Sequence, residues 1–152
     1  MSEMLANHYF LVRNFISARS IFENILEKDS TNKSIIKKLI ICRVTTGEIG
    51  NALDLFLLLI KTDIDCIINT KTDSEDCPCP EIISEIENQE KLFKNEFEKL
   101  ASLGMLWLYC SLEKSIELFK KAEIIDPKEI RFKEIASILV NKMISDKPNS
   151  IN

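Results

Sequence analysis

Glycine and proline are scarce in this chain, three and four among 152 residues, and valine is scarce beside Ile, Leu, Glu and Lys. That balance favours helices over strands. The apolar run Leu55–Ile60 falls far short of the roughly 20 residues that span a bilayer, so no membrane segment is expected. Met1-Ser2-Glu3-Met4-Leu5 has no basic region leading into an apolar run, and the polar end Lys147–Asn152 has no tail anchor. The expectation is therefore a cytoplasmic protein. Only one histidine is present, and no G-x-S-x-G, P-loop, G-x-G-x-x-G or H-E-x-x-H motif occurs. Nothing pairs the many carboxylates across a pocket, so neither an enzyme nor a bound cofactor is expected.

Charge is the next constraint. The net value is −4, but residues 1–61 and 99–152 each carry +2, whereas residues 62–98 carry −8, with three basic groups against eleven acidic ones. A basic footprint is missing, which excludes nucleic acid as a partner. Five cysteines without a framework-like spacing are expected to be reduced thiols, with Cys42 and Cys110 lying in apolar helices as core residues.

What the chain does have is an echo. Ala18 and Phe22 return 34 residues later as Ala52 and Phe56, and again as Ser115 and Phe119 after an insertion of 29 residues. A fixed period of this length marks an array of helical hairpins. Leu5, Tyr9 and Val12, then Ala18, Ile21, Phe22, Ile25 and Leu26, fall at helical spacing around a first turn. Ile36, Leu39 and Ile40, then Ile49, Ala52, Leu53, Phe56, Leu59 and Ile60, form a second hairpin, with Gly47 closing its first helix. Residues 63–80 read as a loop that Ile67 and Ile68 can anchor, and Pro80 suits the first turn of a new helix. A helical face runs on through Phe93, Phe97, Leu100, Gly104 and Trp107, with one helix or two open over 81–110. A last helix over 128–144 places Ile130, Ile135, Ile138, Leu139 and Met143 at core spacing and caps the array.

These residues resemble the tetratricopeptide repeat (TPR) family, whose pattern is W-x₂-L-G-x₂-Y, then A-x₃-F, then P. The third unit carries Leu100, Leu103, Gly104, Trp107, Ser115, Phe119 and Pro127, with an inter-helix turn one residue short. The first carries Leu5, Ala6, Tyr9, Ala18 and Phe22, and has Ser30 for the proline. The second keeps Ile36, Leu39, Ala52 and Phe56, but has Ile40, Arg43 and Ile64 where glycine, the aromatic and proline stand. The resemblance implies an all-α fold, a short α-solenoid with a C-terminal capping helix in one domain over 1–147. Its repeats lie at about 2–31, 33–62 and 97–127, an acidic insertion at 62–96 and a polar tail at 148–152.

The resemblance also implies a protein-interaction adaptor, scaffold or co-chaperone, in which the first helix of each hairpin lines a concave groove. Mapped here, that groove presents Asn7, Phe10 and Leu11, then Lys37, Lys38, Ile41 and Thr45, then Ala101, Met105, Leu108 and Tyr109. A peptide or amphipathic helix is the matched partner. The acidic insertion adds a contact suited to a basic partner. The family's grip on a C-terminal carboxylate is not expected, because only Asn7 is kept while Glu3, Lys38, Glu98 and Ser102 depart from the pattern. Self-association through a repeat face is a second reading. A third is a metal- or redox-responsive regulator using Cys66, Cys77 and Cys79, either as zinc ligands lacking a fourth or as a disulfide from Cys66 to one of the others.

Overall fold

The computed structural model describes residues 2–89 and 93–146. The polar tail expected at 148–152 lies outside them. Among the described residues there are nine helices and no strand: α1 Glu3–Leu11, α2 Phe15–Lys28, α3 Lys33–Thr45, α4 Ile49–Asp63, α5 Asp65–Ile68, α6 Glu81–Asn88, α7 Glu96–Trp107, α8 Leu112–Ile125 and α9 Ile130–Asp146. The all-α expectation holds.

Polar side chains set where these helices begin. Ser2, Asn14, Asn32, Asn95 and Ser111 each accept a hydrogen bond from a first-turn amide of α1, α2, α3, α7 and α8. Each satisfies one of the amides that a helix start leaves unpaired.

The turns within the first two hairpins are the same object 34 residues apart. Asn14 donates its amide to the Tyr9 carbonyl and Arg13 to Phe10; Glu48 donates to Arg43 and Gly47 to Val44. Both turns place one residue in the left-handed region, Arg13 at φ 66° and Gly47 at φ 84°. Gly47 adopts it without steric cost, whereas Arg13 carries a Cβ against it. The turn between α7 and α8 differs. Ser111 donates to Trp107, an ordinary helical interval, and among the described residues only Arg13 and Gly47 have positive φ. The residue missing from that turn is the one that would have been left-handed.

Helix ends follow the sequence as well. Asp29 after α2 and Asp126 after α8 both leave the helical region, at φ −139° and −130°. Ile64, at the matching point after α4, stays helical and leads straight into α5. Here the chain departs into the insertion.

The insertion does not separate the units it interrupts. Consecutive helices α1 to α4 pack in order, and both α7 and α9 pack against α4. Phe56 of α4 stacks on Phe119 of α8 with ring centroids 5.7 Å apart, and Phe132 of α9 lies 6.5 Å beyond. Arg131 of α9 ties the two halves further, bonding the Gly50 carbonyl at 3.0 Å and Asp54 at 2.8 Å.

Some local expectations change. Residues 81–110 are two helices, the first ending at Asn88. The final helix begins at Ile130, which is exposed because it precedes the turn where Phe132 and Ile135 reach the core. Val12 is exposed because it caps α1 at the turn instead of lying within the helix, and Ala6 and Phe10 take the buried face.

The small residues show why the echo exists. A Cβ on Gly104 would sit 2.8 Å from the Phe119 ring, which is fully buried between Phe56 and Phe132. The Ser115 hydroxyl donates to the Gly104 carbonyl at 2.6 Å, locking α8 against α7. Gly104→Ala gains about 1 kcal/mol of helix propensity but overpacks a rigid ring at roughly 1–3 kcal/mol, so the variant is expected to be less stable. Gly50 gives the opposite result. It is exposed in α4, and a Cβ added there would meet nothing within 4 Å, so Gly50→Ala raises stability by up to about 1 kcal/mol. Urea unfolding midpoints of the two variants check both signs.

Candidate functional site

Helix α3 carries two neighbouring lysines into the interior. Lys37 is 9% and Lys38 4% exposed, unusual for a residue type that is almost never buried without a partner. Each has one. Lys38 Nζ donates to Glu75 at 2.8 Å and to Asn7 Oδ1 of α1 at 2.9 Å. Lys37 Nζ pairs with Asp76 at 2.9 Å. Aromatic faces complete both cages: Lys37 Nζ lies 6.0 Å from the Tyr109 ring centroid and Lys38 Nζ 6.0 Å from that of Phe10.

Tyr109 closes the site from beneath. Its hydroxyl donates to the Lys37 carbonyl at 2.6 Å, joining the end of α7 to α3 across 72 residues of chain. Burial pushes this phenol well above its ordinary value, so it remains a donor. Asp76 titrates the other way. Burial alone would raise its carboxyl, but the Ser74 hydroxyl and the Lys37 and Lys38 ammoniums more than offset that and hold it below its ordinary value.

Asn7, Phe10, Lys37, Lys38 and Tyr109, expected from separate helices, therefore meet at one place. They do not meet as an open surface. Phe10, Lys37, Lys38, Ile41, Ala101, Met105, Leu108 and Tyr109 are all buried. The insertion supplies Glu75 and Asp76 to the lysines, buries Ile67 completely, and packs α6 on α7 through a face of Ile82, Ile83 and Ile86. The remaining two groove residues behave differently. Leu11 is exposed, and half-buried Thr45 spends its hydroxyl on the Ile41 carbonyl of its own helix.

The cause of this closure is charge. Of the eleven acidic residues in 62–98, five pair with cations from outside the insertion: Asp63 with Lys33, Asp65 with Lys142, Glu75 with Lys38, Asp76 with Lys37 and Glu81 with Arg13. Part of the acidity expected to face a basic partner, five carboxylates of eleven, is committed within the chain. Composition over residues 62–98 signals this attraction, but it cannot locate it.

The cysteines also regroup. Cys79 and Cys110 form a disulfide with Cα atoms 6.6 Å apart, linking the loop before α6 to the turn after α7. Cys110 is thus neither reduced nor a simple core thiol. Cys77 lies beside this pair, and the three sulfurs are within 4.8 Å of one another. Cys66 is absent from the cluster; burial and the Asp63 carboxylate push its thiol up to about 11. Cys42 is a buried free thiol, as expected, pushed up by burial to about 12.

The class defined by this architecture is an all-helical chain of packed hairpins in which an acidic loop pairs with two lysines of α3. No family model matches the chain, and neither does any curated protein or solved structure. No helix among the described residues is long and apolar enough to cross a membrane.

Asp76→Asn leaves Lys37 buried without its counter-charge, and a loss of about 1–3 kcal/mol is expected in chemical unfolding. The pH dependence has a definite sign. Because the folded-state value of Asp76 lies below the ordinary 3.8, its stabilisation is complete above that value and is lost as pH falls through it. Hydrogen-exchange protection across residues 70–79, corrected for the intrinsic pH dependence of amide exchange, should therefore fall on acidification below about pH 4, and fall less in the Asp76→Asn variant.

Proposed function

We propose that this chain is a non-enzymatic protein-interaction adaptor, a short TPR-like array whose groove takes an acidic extended segment. In the absence of such a partner, residues 71–80 occupy the groove as a tethered stand-in. The observation carrying this reading is the pair of caged lysines. Two adjacent ammoniums, set over aromatic faces and already bonded to adjacent carboxylates, form a recognition site for a Glu-Asp type sequence. Charge complementarity favours an acidic segment at this site, because the groups that face it are the Lys37 and Lys38 ammoniums.

The identical hydrogen-bonded turns 34 residues apart support the repeat reading, as does packing of the third hairpin on α4 despite the insertion. The mechanism is exchange. A partner gains access by displacing a segment held at high effective concentration, so it must out-compete an intramolecular contact. The rigid helices keep the two ammoniums in place, which lowers the ordering cost of the incoming chain.

A fluorescent peptide spanning residues 70–77 tests this by anisotropy. The Glu75→Ala/Asp76→Ala double variant, with native helicity by circular dichroism, should capture the peptide, whereas the native chain should not. Adding Lys37→Ala and Lys38→Ala to the opened variant should abolish capture. An opened, folded variant that ignores the peptide refutes the reading. So does capture that survives loss of both lysines.

A further inference from the structure

Three of the five cysteines converge from positions that the sequence separates. Cys77 and Cys79 flank Pro78, whose ring is buried and whose carbonyl accepts the Ile83 amide at 3.1 Å. Pro78 and Pro80 restrict the backbone on either side of Cys79, so this short loop presents its sulfurs in a fixed arrangement. Cys110 comes from the turn after α7, where its amide bonds the Trp107 carbonyl at 2.8 Å. All three cysteines are half-buried, and their sulfurs lie within 4.8 Å of one another. Among the described residues this is the one group of three or more His, Cys, Asp or Glu ligand atoms gathered so closely.

We propose that, once the Cys79–Cys110 disulfide is reduced, Cys77, Cys79 and Cys110 bind one Cu(I) ion as a three-thiolate site. Thiolate sulfur selects soft cations such as Cu(I) and zinc. Metal–sulfur bonds of about 2.3 Å place the sulfurs of a trigonal site roughly 4 Å apart, a spacing this cluster can meet. Structural zinc calls for four ligands, and no fourth His, Cys, Asp or Glu joins the cluster among the described residues. A closed-shell Cu(I) ion is satisfied by three.

The chemistry balances simply. The disulfide takes two electrons and two protons from a dithiol reductant, which leaves as its own disulfide. Three thiols then bind the ion and release three protons. Cys66 and Cys42 are held as thiols by burial and stand apart from the group. The loaded site would replace the disulfide as the tie between the loop and the α7–α8 turn. It rests on the thiols alone and is independent of what the groove binds.

The full chain, reduced anaerobically with a dithiol and desalted, is titrated with Cu(I) supplied as its bicinchoninate complex. One copper per chain is expected, with three sulfur neighbours by X-ray absorption. Cys77→Ser, Cys79→Ser and Cys110→Ser should each weaken retention at least tenfold, while Cys66→Ser and Cys42→Ser should leave it unchanged. Cys77 lies in the loop outside any helix, so its variant tests the site even if Cys110→Ser fails to fold. The proposal is overturned if the native chain yields all copper to the chelator or if folded Cys77→Ser retains it fully. A loss of retention in Cys66→Ser equal to that in Cys77→Ser also overturns it. Tighter retention of Zn(II) than of Cu(I) in parallel competition overturns the assignment of the ion.

Discussion

Two ammonium groups taken out of water side by side impose conditions on everything around them. Transferring such charges inward is unfavourable unless each gains counter-charge and hydrogen bonds, and leaving one unpaired is destabilising. Lys37 and Lys38 therefore dictate that Asp76 and Glu75 come to them, which fixes the path of the loop between α5 and α6. They also draw on Asn7, Phe10 and Tyr109, so α1, α3, α7 and the loop share one polar cluster. The hydrophobic core is continuous around it, but hydrophobic contact alone does not specify which segment covers α3.

Helix stacking and loop closure are thereby separate layers of the same molecule. The stacking layer rests on small residues opposite large ones: Gly104 under Phe119, and Phe119 against Phe56. It brings the third hairpin to α4 although the chain has detoured through α5 and α6. The closing layer rests on charge, with five ion pairs crossing between the insertion and other helices, and on the Cys79–Cys110 bond. Most of those pairs are partly exposed and individually weak. The pair formed by Lys37 and Asp76 is the well-buried one, so it dominates the closure.

Much of the fold is legible in the sequence because helix signals are local. Scarce glycine and proline and apolar spacing mark α1 to α4, α8 and α9 within a few residues; over 81–110 they leave one helix or two open, and the one-turn helix α5 lies in a stretch whose composition reads as loop. The site is legible only in part. Periodicity groups Asn7 with Phe10 on α1, because a helix fixes which of its own side chains share a stripe, but the meeting of these residues with Lys37, Lys38 and Tyr109 is a tertiary event. Periodicity also cannot reveal that a face is covered, since covering depends on contacts between residues 37 and 76 and between 38 and 75. Nor can spacing choose among thiols: Cys66 is nearer in sequence to Cys77, yet Cys110 is nearer in space.

By itself, then, the sequence determined the helices, the recurrent turn at Arg13 and Gly47, and the charge imbalance that makes residues 62–98 seek cations. Those properties depend on neighbours within a few positions or on summed composition. Tertiary structure alone decided that the insertion folds onto α3, that two lysines become interior groups, and that three sulfurs gather. Each of these brings together segments about thirty positions apart or more. Their pairing energy exists only after the stacked helices have brought them within a few ångströms.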